Sequence, residues 1–214
     1  MQNERNRSPW WQLAGIVYTP RETFEEINKH PNWLLPFLAV LLLNAAFVSL
    51  FFNHGNVPLS VQLIQITGFA VGTTLSILLC SVVFLLCLLI QSAQVSFKKV
   101  FSVVTHTYFL YTLITVGLGT LILKLSSESS GIDPFNPIIS NPGILVNQQL
   151  HPALYRLASA LDLLSLYFLI LTALGFSIIS KKKLSFKGSL ITLMIVWALY
   201  VGAMVLLKFL AYST

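Results

Sequence analysis

The chain has 214 residues, of which 56% are hydrophobic and only 9% charged, and a formal net charge of +6. An average soluble domain carries about 25% charged residues, so this composition excludes one and points to an integral membrane protein. The basic residues are divided among separate loops with no aromatic-interleaved platform, so the positive balance reads as a rim touching anionic lipid headgroups rather than nucleic acid.

Residues 1–32 read as a cytosolic, amphipathic segment at the membrane interface. SPWWQLAGIVY predicts a short helix with Trp11, Ala14 and Tyr18, flanked by Trp10, Leu13 and Val17, on one apolar side. Thr19, Pro20 and Glu22 then form a helix entry, with Thr19 capping free amides, Pro20 at the first helical position and Glu22 where a capping box needs a carboxylate. Phe24 and Ile27 continue the apolar side, and Arg21, Glu22, Glu25, Glu26 and Lys29 crowd the rest. Two such helices are expected to lie in the inner interface with tryptophans at headgroup depth. Trp10, Trp11, Thr19, Pro20, Phe24, Glu25 and Lys29 are thus the candidate surface for anchoring or for docking a partner, with anchoring the simpler reading. No order of basic, apolar and small residues marks a cleavable signal, so the first span is expected to be its own insertion signal.

Apolar runs of about 20 residues, the length a spanning helix needs, fall at 33–52, about 68–90, about 100–123, about 161–180 and about 190–210. The predicted fold is all-α and polytopic: a five-transmembrane-helix bundle over 33–210 with an outer loop at about 124–156 and a short exoplasmic tail at 211–214. In the second span Gly68, Gly72, Ser76 and Cys80 recur every four residues and form a smooth strip that lets another backbone approach. A helix of the same chain is the preferred partner for that strip, a second copy the alternative. Cys80 and Cys87 share a face of one helix, too far apart to bridge, and read as small apolar fillers.

His106 lies near the inner end of the third span between Thr105 and Thr107, where a neutral imidazole is satisfied by backbone carbonyls or a facing hydroxyl. The outer loop carries Pro134, Pro137 and Pro142, which forbid a regular helix there. His151 and Pro152 read as another helix entry, which would make the fourth helix run from 152 to 180, roughly 40 Å at 1.5 Å per residue. Asp162 opens the apolar part of that helix. It is either a boundary carboxylate near the outer headgroups, the simpler reading, or a cation or proton site. His106 and Asp162 stand near opposite borders, which disfavours a catalytic pair, and His30, His54 and His151 are too scattered for a metal site.

Arg5, Arg7, Arg21, Lys29, Lys98, Lys99, Lys181, Lys182, Lys183 and Lys187 fall on one side of the five spans, and only Lys124, Arg156 and Lys208 on the other. By the positive-inside rule the N-terminus is cytosolic and the C-terminus exoplasmic.

The pattern from Thr19 to Pro36 (TP-x-x-x-F-x-x-I-x-x-x-P-x-W-x-x-P), Asn141-Pro142, Leu161-Asp162, Gly175 and the basic loop ending Ser185-Phe186-Lys187-Gly188 resembles the Ypt-interacting protein (YIP) domain family over nearly the whole chain. The resemblance implies five spans with a cytosolic N-terminus, as the charges do, and a prokaryotic-type member of a cytoplasmic membrane. The long arm through which eukaryotic members contribute to Rab GTPase binding has no counterpart here, so no Rab-type partner is expected. Bacterial members are small membrane proteins, some of them linked to exporters.

No nucleophile elbow, zinc-protease motif, phosphate loop or paired intramembrane acids are present, so neither an enzyme nor a cofactor is expected. Two functions remain: a membrane scaffold or adaptor with a membrane-protein partner such as a transport complex, or a small ion or lipid transporter or permease subunit using a polar path near Asp162 and His106. The lack of broken-helix pairs and internal repeats favours the first. A homo-oligomer is compatible with either.

Overall fold

The computed structural model describes residues 8–53, 58–125, 141–147, 150–151, 154–155, 158–159, 161–181 and 183–212. The readings made on Arg5, Arg7, His54, Pro134, Pro137, Pro152, Arg156, Lys182 and the end of the tail lie outside the described residues. Two short helices, α1 (Pro9–Tyr18) and α2 (Pro20–Lys29), precede five longer apolar ones: α3 (Leu34–Asn53), α4 (Leu59–Ile90), α5 (Phe97–Leu125), α6 (Leu163–Ile179) and α7 (Phe186–Tyr212). A 3-10 turn at Pro142–Leu145, capped by the Asn141 side chain accepting from Gly143 N at 3.0 Å, stands between α5 and α6. Among the described residues there is no strand.

Three helices, over Leu59–Ile90, Phe97–Ile122 and Phe186–Ala203, are long and apolar enough to cross a membrane. Leu34–Ser49 and Leu163–Ile179 are apolar but shorter. The span boundaries shift for identifiable reasons. Gln62 and Gln65 lower the hydropathy of 59–67 without breaking a helical hydrogen bond, so α4 starts nine residues ahead of the expected 68. The expected helix from 152 to 180 is interrupted: residues 154–155 and 158–159 are helical, but 161 and 162 are not, and Asp162 at ψ 130° starts α6 afresh.

α5 is the central helix, packed against α1, α2, α3, α4 and α6, and its residues from Val100 to Thr107 are all buried. α6 runs antiparallel beside it, with the hydroxyls of Thr107 and Thr172 3.2 Å apart, and α7 closes against α6. α4 turns Thr73, Ile77, Ser81, Phe84 and Leu88 inward at helical spacing. Its far end is tied to α7 by Gln91 Nε2 donating to Thr192 Oγ1 at 2.8 Å. Trp33 and Phe37, at the start of α3, pack edge-on and tilted against Phe101 of α5.

The α1–α2 pair is packed along the side of the bundle rather than laid across its end. Gln12 Nε2 of α1 donates to His30 O just beyond α2 at 3.2 Å, and Gly15 faces Thr23, so the two helices form an antiparallel hairpin with Thr19 at the tip. Asn28 accepts from Lys99 Nζ at 2.6 Å, Phe24 lies against Gly175, and Pro20 shares a groove with Leu171 and Leu174. α2 therefore runs alongside α6 in the same direction and antiparallel to α5, its C-terminal end level with the first turn of α5. Phe24 and Ile27, which the sequence placed on an interfacial face, are both 0% exposed and covered by α1, α5 and α6.

Candidate functional site

Two groups of residues stand out: a polar seam between α5 and α6, and the seat of the hairpin at their lysine-bearing ends. In the seam the hydroxyl-bearing side chains turn back on their own helix. Thr105 Oγ1 donates to Phe101 O at 2.9 Å, Thr107 lies 3.0 Å from Val104 O, Thr115 2.9 Å from Tyr111 O, and Thr172 2.8 Å from Phe168 O. Threonine does this readily because its hydroxyl reaches the carbonyl three or four residues back. His106 is fully buried, and its Nδ1 stands 2.7 Å from Ser102 O. A carbonyl only accepts, so Nδ1 carries the proton and Nε2 is left as an acceptor. Among the described residues Nε2 and the Ser102 hydroxyl have no partner, so His106 is satisfied there at one nitrogen only.

Asp162 is the N-cap of α6. Its Oδ2 accepts from Ser165 N at 2.8 Å and from Ser165 Oγ at 3.0 Å. A carboxylate at this place satisfies orphan amides and faces the positive end of the helix dipole. Asp162 lies ten residues from Thr172, the partner of Thr107, so the structure does not bring Asp162 and His106 together. Ser165 went unrecognised in the sequence, although an Asp ahead of an apolar run is itself a helix-start signal. Cys80 and Cys87 are free thiols, and among the described residues no group of three His, Cys, Asp or Glu side chains could hold a metal ion.

At the hairpin seat, Gly175 admits Phe24: a Cβ there would lie 2.5 Å from Val103 Cγ1 and 3.0 Å from Phe24 Cε1. Phe24 is thereby removed from any docking or lipid surface, a correction to its expected place. Thr19 also departs from expectation. It makes no side-chain cap, and its hydroxyl turns back to Gly15 O at 3.5 Å, leaving Pro20 to open α2. On α1 the buried stripe is Gln12, Gly15 and Ile16, while Trp11 and Leu13 are half-buried. Trp10 (68% exposed), Ala14, Val17 and Tyr18 (82%) look outward. Glu25 and Lys29 are exposed, and Glu25 accepts from Arg21 Nε at 3.3 Å.

The strip on α4 is also placed differently. Nothing comes within 4 Å of a Cβ built at Gly68 or Gly72, Ser76 is exposed, and only Cys80 is half-buried. Among the described residues the strip does not pack on another helix at these glycines, because the inward face of α4 is set by Ile77, Phe84 and Leu88, a third to a half of a turn away.

A family model described as the Yip1 domain matches residues 14–207, from within α1 to within α7. The chain belongs to the Yip1 domain family. No curated protein and no solved structure matches it. Within this Yip1 domain, Phe24 and Gly175, part of the pattern that carried the resemblance in the sequence, meet at the hairpin seat. The Yip1-domain chain is a membrane protein with helices apolar and long enough to cross the bilayer.

Proposed function

We propose that this Yip1-domain protein is a membrane scaffold or adaptor without catalytic turnover, acting beside a membrane-protein partner such as a transport or export complex. One observation carries the reading: most of the hydroxyls in the seam between α5 and α6, and Asp162 at its head, close on the chain itself. The threonines of α5 and α6 bond carbonyls of their own helices, and Asp162 is engaged at the head of α6. Hydroxyls bonded in this way are unavailable to a solute, which leaves His106 Nε2 and the Ser102 hydroxyl as the seam's exceptions. The reading includes five spans, with α3 and α6 among them. The 17 residues of α6 cover about 26 Å at 1.5 Å per residue, near the lower limit of what a bilayer accommodates. Lys98, Lys99, Lys181, Lys183 and Lys187 gather at one end of the bundle, which this reading puts in the cytosol of a prokaryote together with the N-terminus. Co-purification from native membranes is the test, with Glu25→Gln combined with Lys29→Gln as the comparison. A stoichiometric membrane partner that weakens with the double substitution supports an adaptor reading the α2 face; identical recoveries exclude that face as its contact.

A second reading, a small ion or lipid transporter or permease subunit, is favoured by the unpartnered His106 Nε2 and Ser102 Oγ in the buried seam. It requires flux into liposomes holding the purified protein alone, abolished by His106→Leu in a protein that stays folded.

A further inference from the structure

α2 carries five of the chain's charged residues, Arg21, Glu22, Glu25, Glu26 and Lys29, yet its packing places it deep along the bundle. The border can be read from the charges: Lys98 and Lys99 stand at the start of α5 and Lys181 and Lys183 just past α6, while Asp162 heads α6 at the other end. At about 1.5 Å per residue, Gly175, against which Phe24 lies, is about 9 Å from Lys181, and Leu174 and Leu171, beside Pro20, are about 10–15 Å from it. α5 agrees: Asn28 meets Lys99, while Val103, about 6 Å further on, shares the site of Gly175 and Phe24. Half of a hydrocarbon core is about 15 Å. α2 thus climbs from the lysine level nearly to the middle of the membrane.

The surfaces beside it at that height are apolar. On one flank are the outward Val17 and Tyr18 of α1; on the other is a groove of about 320 Å³ between α2, α6 and α7, walled by Tyr167, Ile170, Leu174 and Phe186. Further round, Phe84 of α4 packs edge-on against Phe176 at 5.5 Å, so the exposed Val82 and Leu86 bracket the same height. Between these apolar flanks Arg21, Glu22 and Glu25 face outward, the Arg21 and Glu25 side chains 77% and 54% exposed and paired at 3.3 Å, while Lys29 faces outward nearer the level of Lys99. Ionisable side chains at hydrocarbon depth are costly in contact with lipid tails, and they are found where water or a polar partner reaches them. The face carries both signs, guanidinium and ammonium for a phosphate and carboxylates for an amine, which matches a zwitterionic headgroup.

We infer that α1 and α2 form a helical hairpin standing inside the lysine-side leaflet, whose charged α2 face draws water and phospholipid headgroups down to hydrocarbon depth and thins the bilayer along that flank. The inference holds for a scaffold and for a transporter alike. It rests on the lysines marking the membrane border.

The test uses the full-length protein carrying Cys80→Ala and Cys87→Ala, with Glu22→Cys, Glu25→Cys, Val82→Cys or Leu86→Cys added singly. The protein is reconstituted in phosphatidylethanolamine–phosphatidylglycerol vesicles and freeze-thawed with a membrane-impermeant maleimide so that both faces meet the reagent. Labelling is expected at least tenfold faster at positions 22 and 25 than at 82 and 86, with the four alike after the vesicles are dissolved in detergent. A fluorophore at position 25 should be quenched more by lipid bearing a nitroxide on its headgroup than by lipid bearing it mid-chain, and one at position 86 the reverse. Equal labelling of all four in vesicles means that this end stands clear of the bilayer and the border is elsewhere. Failure to label 22 and 25 means that protein, such as a second copy, covers the face. Either result, or stronger mid-chain quenching at position 25, overturns the inference.

Discussion

Asp162 accepts two hydrogen bonds from Ser165 at the head of α6, and this sets what its substitution costs. Asparagine caps a helix about as well as aspartate, so Asp162→Asn should change stability by a few tenths of a kcal/mol at most, whereas Asp162→Ala should cost about 1 kcal/mol. Reversible unfolding in mixed micelles measures both. An Asn variant that stays folded but loses an ion-dependent activity would revive Asp162 as an ion site. Gly175 makes the opposite kind of demand, for the absence of an atom. Gly175→Ala puts a methyl 2.5 Å from Val103 Cγ1 and should cost roughly 1–3 kcal/mol, the range for overpacking a filled site. Val103→Ala removes the nearer obstacle, so the double substitution should be less destabilised than the sum of the two single changes, a coupling that a double-mutant cycle reads directly. Additive costs would mean that α6 moves away as a whole.

The elements divide by what covers them. α2 alone is a charged decamer with one apolar stripe, and it stays helical because Thr23, Phe24 and Ile27 are covered from three sides, by α1, α5 and α6. Isolated helices of this length are marginal in water, so tertiary cover supplies most of its stability. α1 supplies one wall through Gln12, Gly15 and Ile16. Deleting residues 9–18 should leave the five longer helices inserted but free α2, so that trypsin cuts after Arg21 and Lys29 at least several-fold faster in micelles than in the full-length chain. Unchanged cleavage would show that α5 and α6 hold α2 unaided. The glycine strip of α4 shows the converse. Gly68 and Gly72 are smooth but uncovered, since a small-residue repeat permits close approach without specifying who approaches.

At the scale of the whole molecule, α5 is the post around which the other helices stand, and most of the lysines collect at one end of that bundle, with Lys124 and Lys208 towards the other. If this end is cytosolic, a reporter active only outside the cytosol should work when fused to the C-terminus and fail when inserted after Lys183. Activity of the inserted reporter would reverse the orientation and also put the α1–α2 hairpin in the outer leaflet. The reporter arms are read in intact cells and do not depend on the hairpin, so they separate an error of orientation from an error about depth.

Composition and the apolar runs by themselves determined that the chain is a membrane protein built of helices, because a bilayer leaves the backbone few other ways to pair its polar groups. The pattern from Thr19 to Pro36 and Gly175 also sufficed for the family, since local spacing and a required glycine are written residue by residue. Where each face points was left to the tertiary structure. Apolarity on all sides of α4 carries no periodic signal, so nothing local told Gly68 from Ile77, and only the packing of Phe84 against Phe176 turned the helix. Likewise the periodicity of α2 announced one buried stripe at Phe24 and Ile27, but a lipid interface and a groove between two helices satisfy such a stripe equally well. It was the missing side chain at Gly175, more than 150 residues further along, that let Phe24 seat α2 against α5 and α6, a contact that local sequence does not encode.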